Sequence, residues 1–144
     1  VYLIIFFFLM TSNVSFSKEI FLSLKKEKVN VRYGPGLDYP IKYIYKKLDL
    51  PIKLIDKKEN FRRIIDHKKN SGWIHVSQLK KANSIIVLED KILFQKPSIF
   101  SKPISLIKQG RLLLIKKCDN QWCKIKSGDY SGWIITDNIW GTAN

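Results

Sequence analysis

The chain has only two cysteines, two histidines, one methionine and twelve acidic residues among 144. His67 and His75 precede Cys118 and Cys123 by more than 40 residues, an order unlike the compact ligand pairs of a structural zinc module. No metal or other cofactor is therefore expected. Nothing in the sequence reads as a catalytic carboxylate pair, a glycine-rich phosphate loop or a metalloprotease helix. His67 falls in a turn and His75 after a strand, without the cysteine and orienting group that a Cys-His nucleophile needs. A non-enzyme is expected. Long apolar runs are also missing: residues 2–10 are uncharged and apolar but too short to span a bilayer as a helix. No segment repeats apolar residues at helical spacing for long enough to build a substantial helix.

What is present begins with that apolar run. It leads into Ser15 and Ser17, small residues three and one before a cut after Ser17, so residues 1–17 read as a signal peptide and the mature chain as periplasmic. Residues 18–144 then carry all 26 basic and 12 acidic residues, a net charge of +14. Such a surplus favours anionic partners: wall polymers, an anionic membrane surface touched peripherally, or nucleic acid. Export disfavours nucleic acid, and the interleaved aromatics of a single-strand binder are not evident. The cations are mostly Lys, with Arg only at Arg32, Arg62, Arg63 and Arg111, and Ile and Asn are abundant. An AT-rich coding sequence produces that skew without any ligand, so the charge has an equal reading as background.

Ser-Gly-Trp-Ile occurs at residues 71–74 and again at 131–134. Upstream of it lie "FRRII" at 61–65 and "WCKIK" at 122–126, each aromatic, variable, basic, Ile. Before these come "LPIKLI" (50–55) and "RLLLIKK" (111–117), then "PIKYIYK" (40–46) and "PISLIKQG" (103–110), then "KVNVRYGPG" (28–36) and "KILFQKPS" (91–98). Each unit thus offers five short strands separated by turn residues, the pattern of a small antiparallel barrel. Residues 18–83 and 84–144 read as two such units. Alternation puts Val29 and Val31 on one face and Asn30 and Arg32 on the other. Pro35 and Gly36 suit the centre of a type II turn, Gly36 taking a positive φ. Gly72 and Gly132 permit close approach of a neighbouring strand while Trp73 and Trp133 cover the barrel. "VSQL" and "TDNI" each suit a 3-10 turn, and residues 80–91 are too apolar for a free linker, so the units should pack closely.

The ordered set Val-Asn-Val-Arg-x-Gly-Pro-Gly at 29–36, the aromatic at 61 and Gly-Trp-Ile at 72–74 resembles the bacterial SH3-like domain. With the second copy, Cys118 to Cys123, Gly132-Trp133 and Ile139-Trp140-Gly141, the chain is similar to tandem SH3-domain proteins of alphaproteobacteria. The resemblance implies an all-β fold of two small five-stranded barrels in tandem after the signal peptide. It also implies a binding role, because related modules look like peptidoglycan-targeting domains of wall hydrolases. The expected partner is a cell-wall polymer or a wall-associated protein. An envelope module that grips an extended peptide or sheet edge without glycan affinity is the alternative. In the second copy "LFQKPSIF" replaces the Gly-Pro-Gly stretch, which leaves the binding role of that loop in doubt.

The first loop and nearby aromatics of such a barrel frame a shallow groove, which nominates Arg32, Tyr33, Asp38, Tyr39, Tyr43 and Trp73 as ligand-binding residues. A purely structural use is open for each: Arg32 bracing the loop, Gly34, Pro35 and Gly36 forming its turn, Trp73 in the core. Cys118 and Cys123 flank a four-residue connection between two strands and would form a disulfide across a tight hairpin in an exported protein. Two buried thiols or a redox pair are the other readings, although the spacing is not Cys-x-x-Cys.

Overall fold

A computed structural model describes Ser12, Asn13, Ser15 and residues 18–141, so the expected cut after Ser17 lies outside the described residues. Within them run fourteen strands: β1 (Phe21–Leu24), β2 (Val29–Arg32), β3 (Ile41–Tyr45), β4 (Pro51–Lys58), β5 (Phe61–Ile65), β6 (Ser71–His75), β7 (Leu79–Lys81), β8 (Ser84–Val87), β9 (Lys91–Phe94), β10 (Pro103–Ile107), β11 (Leu112–Asp119), β12 (Trp122–Ser127), β13 (Tyr130–Ile135) and β14 (Ile139–Gly141). A 3-10 turn (Val76–Gln78) joins β6 to β7. They form two seven-stranded antiparallel sheets, ordered β3-β2-β6-β5-β4-β1-β7 and β10-β9-β13-β12-β11-β8-β14. Each strand of the second sheet is the counterpart of the one seven places earlier, so the repeat is complete at the level of topology. The described residues are all-β with almost no helix.

Each unit has seven strands where the sequence suggests five. The additions are β1 and β7 in the first unit and their counterparts β8 and β14, of which only β8 reads as a strand in the sequence, over residues 85–88. Three or four residues are too few to show a period. These strands exist because they pair with each other, Leu24 opposite Leu79 and Val87 opposite Ile139, and because β1 and β8 also pair with β4 and β11.

Alternation decides what is inside. Val29 and Val31 of β2 are fully buried while Asn30 is exposed, and Ile52, Ile64 and Ile74 fill the same core. Leu93, Leu113, Ile125 and Ile134 do so in the second unit. Ile of each Gly-Trp-Ile is therefore the core residue. Trp73 and Trp133 are half-buried on the opposite face, where the sequence reading had them sealing the barrel. The glycines do make close approaches: a Cβ on Gly72 would strike Val31, and one on Gly132 would sit 2.7 Å from the Phe94 carbonyl oxygen.

Two turn expectations need correction. Gly34 and Gly36 take no positive φ; the Tyr39 ring lies over both, so their role is to leave it room. The 3-10 turn forms only in the first unit, where His75 Nδ1 accepts the Ser77 amide as a cap. Ile135 stands in the corresponding place and offers no acceptor, and the chain there bends through Asn138 at φ 48 instead. The hairpins β4–β5 and β11–β12 each use a two-residue turn whose first residue, Glu59 or Asn120, is left-handed. Cys118 and Cys123 sit directly opposite across the second hairpin, Cα atoms 4.0 Å apart, and are disulfide-bonded. In the first hairpin the same register pairs Lys57 with Arg62. For so small a loop the bridge is worth about 2 kcal/mol.

The two units pack closely. Trp140 of β14 is 9% exposed and sits with Ile86 in the first unit's core, edge-on to Phe21 at 5.2 Å. Its indole N–H donates to the Pro51 carbonyl at 2.9 Å, so the buried ring leaves no polar atom unpaired. Ser84 Oγ donates to the Asp49 carbonyl and lies 3.3 Å from Ser23 Oγ; Asn83 donates to Asp49 Oδ1 at 3.1 Å, and Lys80 pairs with the same carboxylate.

Candidate ligand cleft

The outer face of β2 carries Asn30 and Arg32, and the loop over residues 33–40 folds back beside it. Arg32 Nη1 donates to the Leu37 and Tyr39 carbonyls at 3.3 and 2.9 Å, which pins the loop and leaves Nε and Nη2 of the fork. Between this loop and the 3-10 turn lies a cleft of about 530 Å³ lined by Lys28, Asn30, Arg32, Leu37, Phe61, His75, Ser77 and Gln78. Phe61 is buried in its floor, edge-to-face with the His75 ring at 5.2 Å. Since Nδ1 of His75 accepts the Ser77 amide at 3.1 Å, the neutral ring carries its proton on Nε2. None of the lining residues is acidic. The cleft therefore offers two cations, several N–H donors and a small apolar floor.

Of the nominated residues only Arg32 lines the cleft. Tyr33 is 62% exposed with the Lys42 ammonium over its ring at 5.6 Å. Asp38 is exposed at the loop tip, and Tyr39 is spent on covering the glycines. Trp73 lies on the same outer face as Arg32 and directly opposite it in register, two residues before His75. Tyr43 turns the other way, packing on the core with its hydroxyl 3.1 Å from that of Tyr45, which donates to Asp66. Burial raises both phenols above the usual tyrosine value, Tyr45 the more strongly. Lys28, Asn30, Leu37, Phe61, His75, Ser77 and Gln78 join the cleft without having been nominated. Alternation along β2 already places Asn30 beside Arg32, and His75 is two residues from Trp73 on one strand face; the loop and the 3-10 turn that close the cleft leave no such period.

The bacterial SH3 domain model matches residues 25–81 and again 91–141. No curated protein matches the sequence. Among solved structures, the chain is similar to NlpC2 from Trichomonas vaginalis at 15% identity and a TM-score of 0.40, with 89% of this chain and 50% of that one covered. NlpC1 from the same organism gives 14% and 0.40, covering 94% and 50%. An NlpC/P60 family protein from Bacillus cereus ATCC 10987 gives 11% and 0.39, covering 85% and 57%. The chain thus spans about half the length of these proteins. Each matched segment covers six of the seven strands of one sheet, leaving out β1 or β8, and contains one Gly-Trp-Ile; the chain belongs to the bacterial SH3 domain family, of which it carries two copies.

Proposed function

We propose that the chain is an exported, non-catalytic binding module of the periplasm, with a leader over residues 1–17 and binding units over 18–83 and 84–144. Its first cleft takes a peptide-like anionic ligand of the cell wall. The observation that carries this is the lining: Lys28 and Arg32 with the His75 Nε2–H, Asn30 and Gln78 around Phe61 and Leu37, and no carboxylate among them. Peptidoglycan stem peptides fit that lining, since their free carboxylates suit the cations and their amides suit the neutral donors.

The test is retention of the purified protein on isolated sacculi at moderate salt. Lys28→Ala and His75→Ala should each weaken retention about tenfold, the loss of one charge-assisted or buried hydrogen bond. Lys116→Ala, an exposed cation on the second unit, should leave it unchanged. No retention, or an equal loss in all three variants, sinks the reading. A protein partner without glycan affinity is the competing reading, favoured by the apolar surface of the second unit.

A further inference from the structure

The second unit keeps the shape of the first cleft but not its chemistry. Phe94 opposes Trp133 as Arg32 opposes Trp73, which fixes the correspondence along the rest of the strand and loop. The loop after β9 has the same length and the same three backbone hydrogen bonds. Ser98 to Lys96, Ser101 to Ser98 and Gln95 to Lys102 repeat Gly36 to Gly34, Tyr39 to Gly36 and Tyr33 to Pro40. Lys96 and Ser98 replace the glycines because Ser101 replaces the tyrosine ring that needed the space. "LFQKPSIF" is therefore an intact loop with new side chains.

Those side chains change the lining throughout. Asn30 becomes Ile92, Arg32 becomes Phe94, Leu37 becomes Ile99 and His75 becomes Ile135, while Lys28 becomes Asp90 and Ser77 becomes Asp137. The result is a groove of about 310 Å³ with an apolar floor and Glu89, Asp90 and Asp137 at its rim. Three of the five acidic residues in 84–144 are gathered there. Lys91 is buried and gives its ammonium to Asp137 at 2.9 Å and Glu89 at 3.4 Å, and Lys108 lies 3.4 Å from Asp90. The rim is acidic by one charge even after both lysines are counted, on a chain whose net charge is +14. The floor continues outward: Phe100 at the loop tip is 92% exposed, and Leu106, opposite Ile92 on the edge strand β10, is exposed as well. An apolar surface of this extent in one loop and one strand face marks an interaction site.

We propose that this groove docks an extended segment of another envelope protein, one that alternates apolar side chains with Lys or Arg. Apolar side chains fill the floor formed by Ile92, Phe94, Ile99 and Ile135 and extend onto the exposed Phe100 beside it, and the cations meet the rim carboxylates. A second copy of this chain is disfavoured as occupant by mutual repulsion at +14, and an anionic membrane by the acidic rim. The first unit would then hold the wall and the second a protein, from two clefts of one ancestral shape.

The test titrates the full chain with a synthetic peptide of alternating Leu and Lys, and with its Leu-Glu counterpart, followed by amide and indole NMR shifts. Trp122, edge-on to Phe94 at 5.6 Å, reports from the groove wall. The Leu-Lys peptide should bind saturably and shift Ile92, Ile99, Ile135 and the Trp122 indole. Phe100→Ala and Ile99→Glu should each weaken it at least tenfold, and Asp137→Asn severalfold with a smaller salt dependence. Phe100 is exposed enough that its removal cannot unfold the unit, and unchanged thermal unfolding verifies this. Equal binding of the Leu-Glu peptide, shifts that map to the first cleft, or affinity untouched by Phe100→Ala and Ile99→Glu overturn the proposal. Sacculus retention is measured alongside: it should survive Phe100→Ala, and peptide binding should survive His75→Ala, so the two readings fail separately.

Discussion

Gly132 shows why two glycines recur before two tryptophans sixty positions apart. A methyl group there would meet the Phe94 carbonyl at 2.7 Å and Leu93 Cγ at 2.8 Å. The first is backbone held in the sheet and cannot yield without shifting strand β9. Gly132→Ala should therefore cost about 2 kcal/mol, the usual penalty for an overpacked site, measured as a lowered urea midpoint. Gly128→Ala is the control: it has a positive φ but nothing within 4 Å, so it should lose only about 1 kcal/mol of backbone strain. A Gly132→Ala loss no larger than the control's refutes the close-approach account. Gly34 belongs to the same class of explanation, since what it accommodates is the ring of Tyr39.

Among the elements, the hairpin between β5 and β6 depends on one buried side chain. Asp66 accepts hydrogen bonds from the Lys68 and Asn70 amides at 2.9 Å each, from the Asn70 side chain at 3.1 Å and from the Tyr45 hydroxyl at 2.9 Å. Asp66→Ala removes all four and leaves the part-buried Tyr45 hydroxyl with Tyr43 alone, so it should lower stability by about 2–3 kcal/mol in urea unfolding, with Asp66→Asn in between. A change below about 0.5 kcal/mol would show that the turn does not need it. The long strands β4, β5, β11 and β12 and both hairpins were legible as apolar alternation bounded by turn residues. Strands β1, β7 and β14 were not, because their identity lies in what they pair with. The cleft divides the same way: Arg32 and His75 are readable from strand alternation, whereas Leu37, Ser77 and Gln78 enter it only because the loop and the 3-10 turn fold toward each other.

Across the whole molecule, the joint between the units is bordered by Asp49 of the first unit, whose carbonyl accepts from Ser84 of the second. Burial pushes the Asp49 carboxyl up, but hydrogen bonds from Lys80 and Asn83 outweigh that and hold it below the usual carboxylate value. A carboxyl depressed in the folded state stabilises above its unfolded value, about 3.9, and loses that contribution as pH falls through the lower folded value. The urea midpoint should thus be flat from about pH 7 to 5 and fall in stronger acid. Asp49→Asn should cost about 1 kcal/mol at pH 7 and less at about pH 2.5, because the wild-type carboxyl loses its charge as pH falls through the lowered folded value. A difference between the proteins that is the same at both pH values would rule out the charge as its cause.

Local chemistry was enough to establish a duplicated all-β chain, because strand period, turn residues and a repeated Gly-Trp-Ile are properties of neighbours along the chain. Even the disulfide followed from five residues of separation, which a two-residue hairpin turn converts into direct opposition. Tertiary structure decided what depends on distant residues meeting. It put Trp140 into the other unit's core, turned Tyr43 away from the ligand face, and closed one loop over a cationic cleft and its twin over an apolar, acid-rimmed one. Pairing and packing between segments distant along the chain have no local signature, and the two clefts exist only through them.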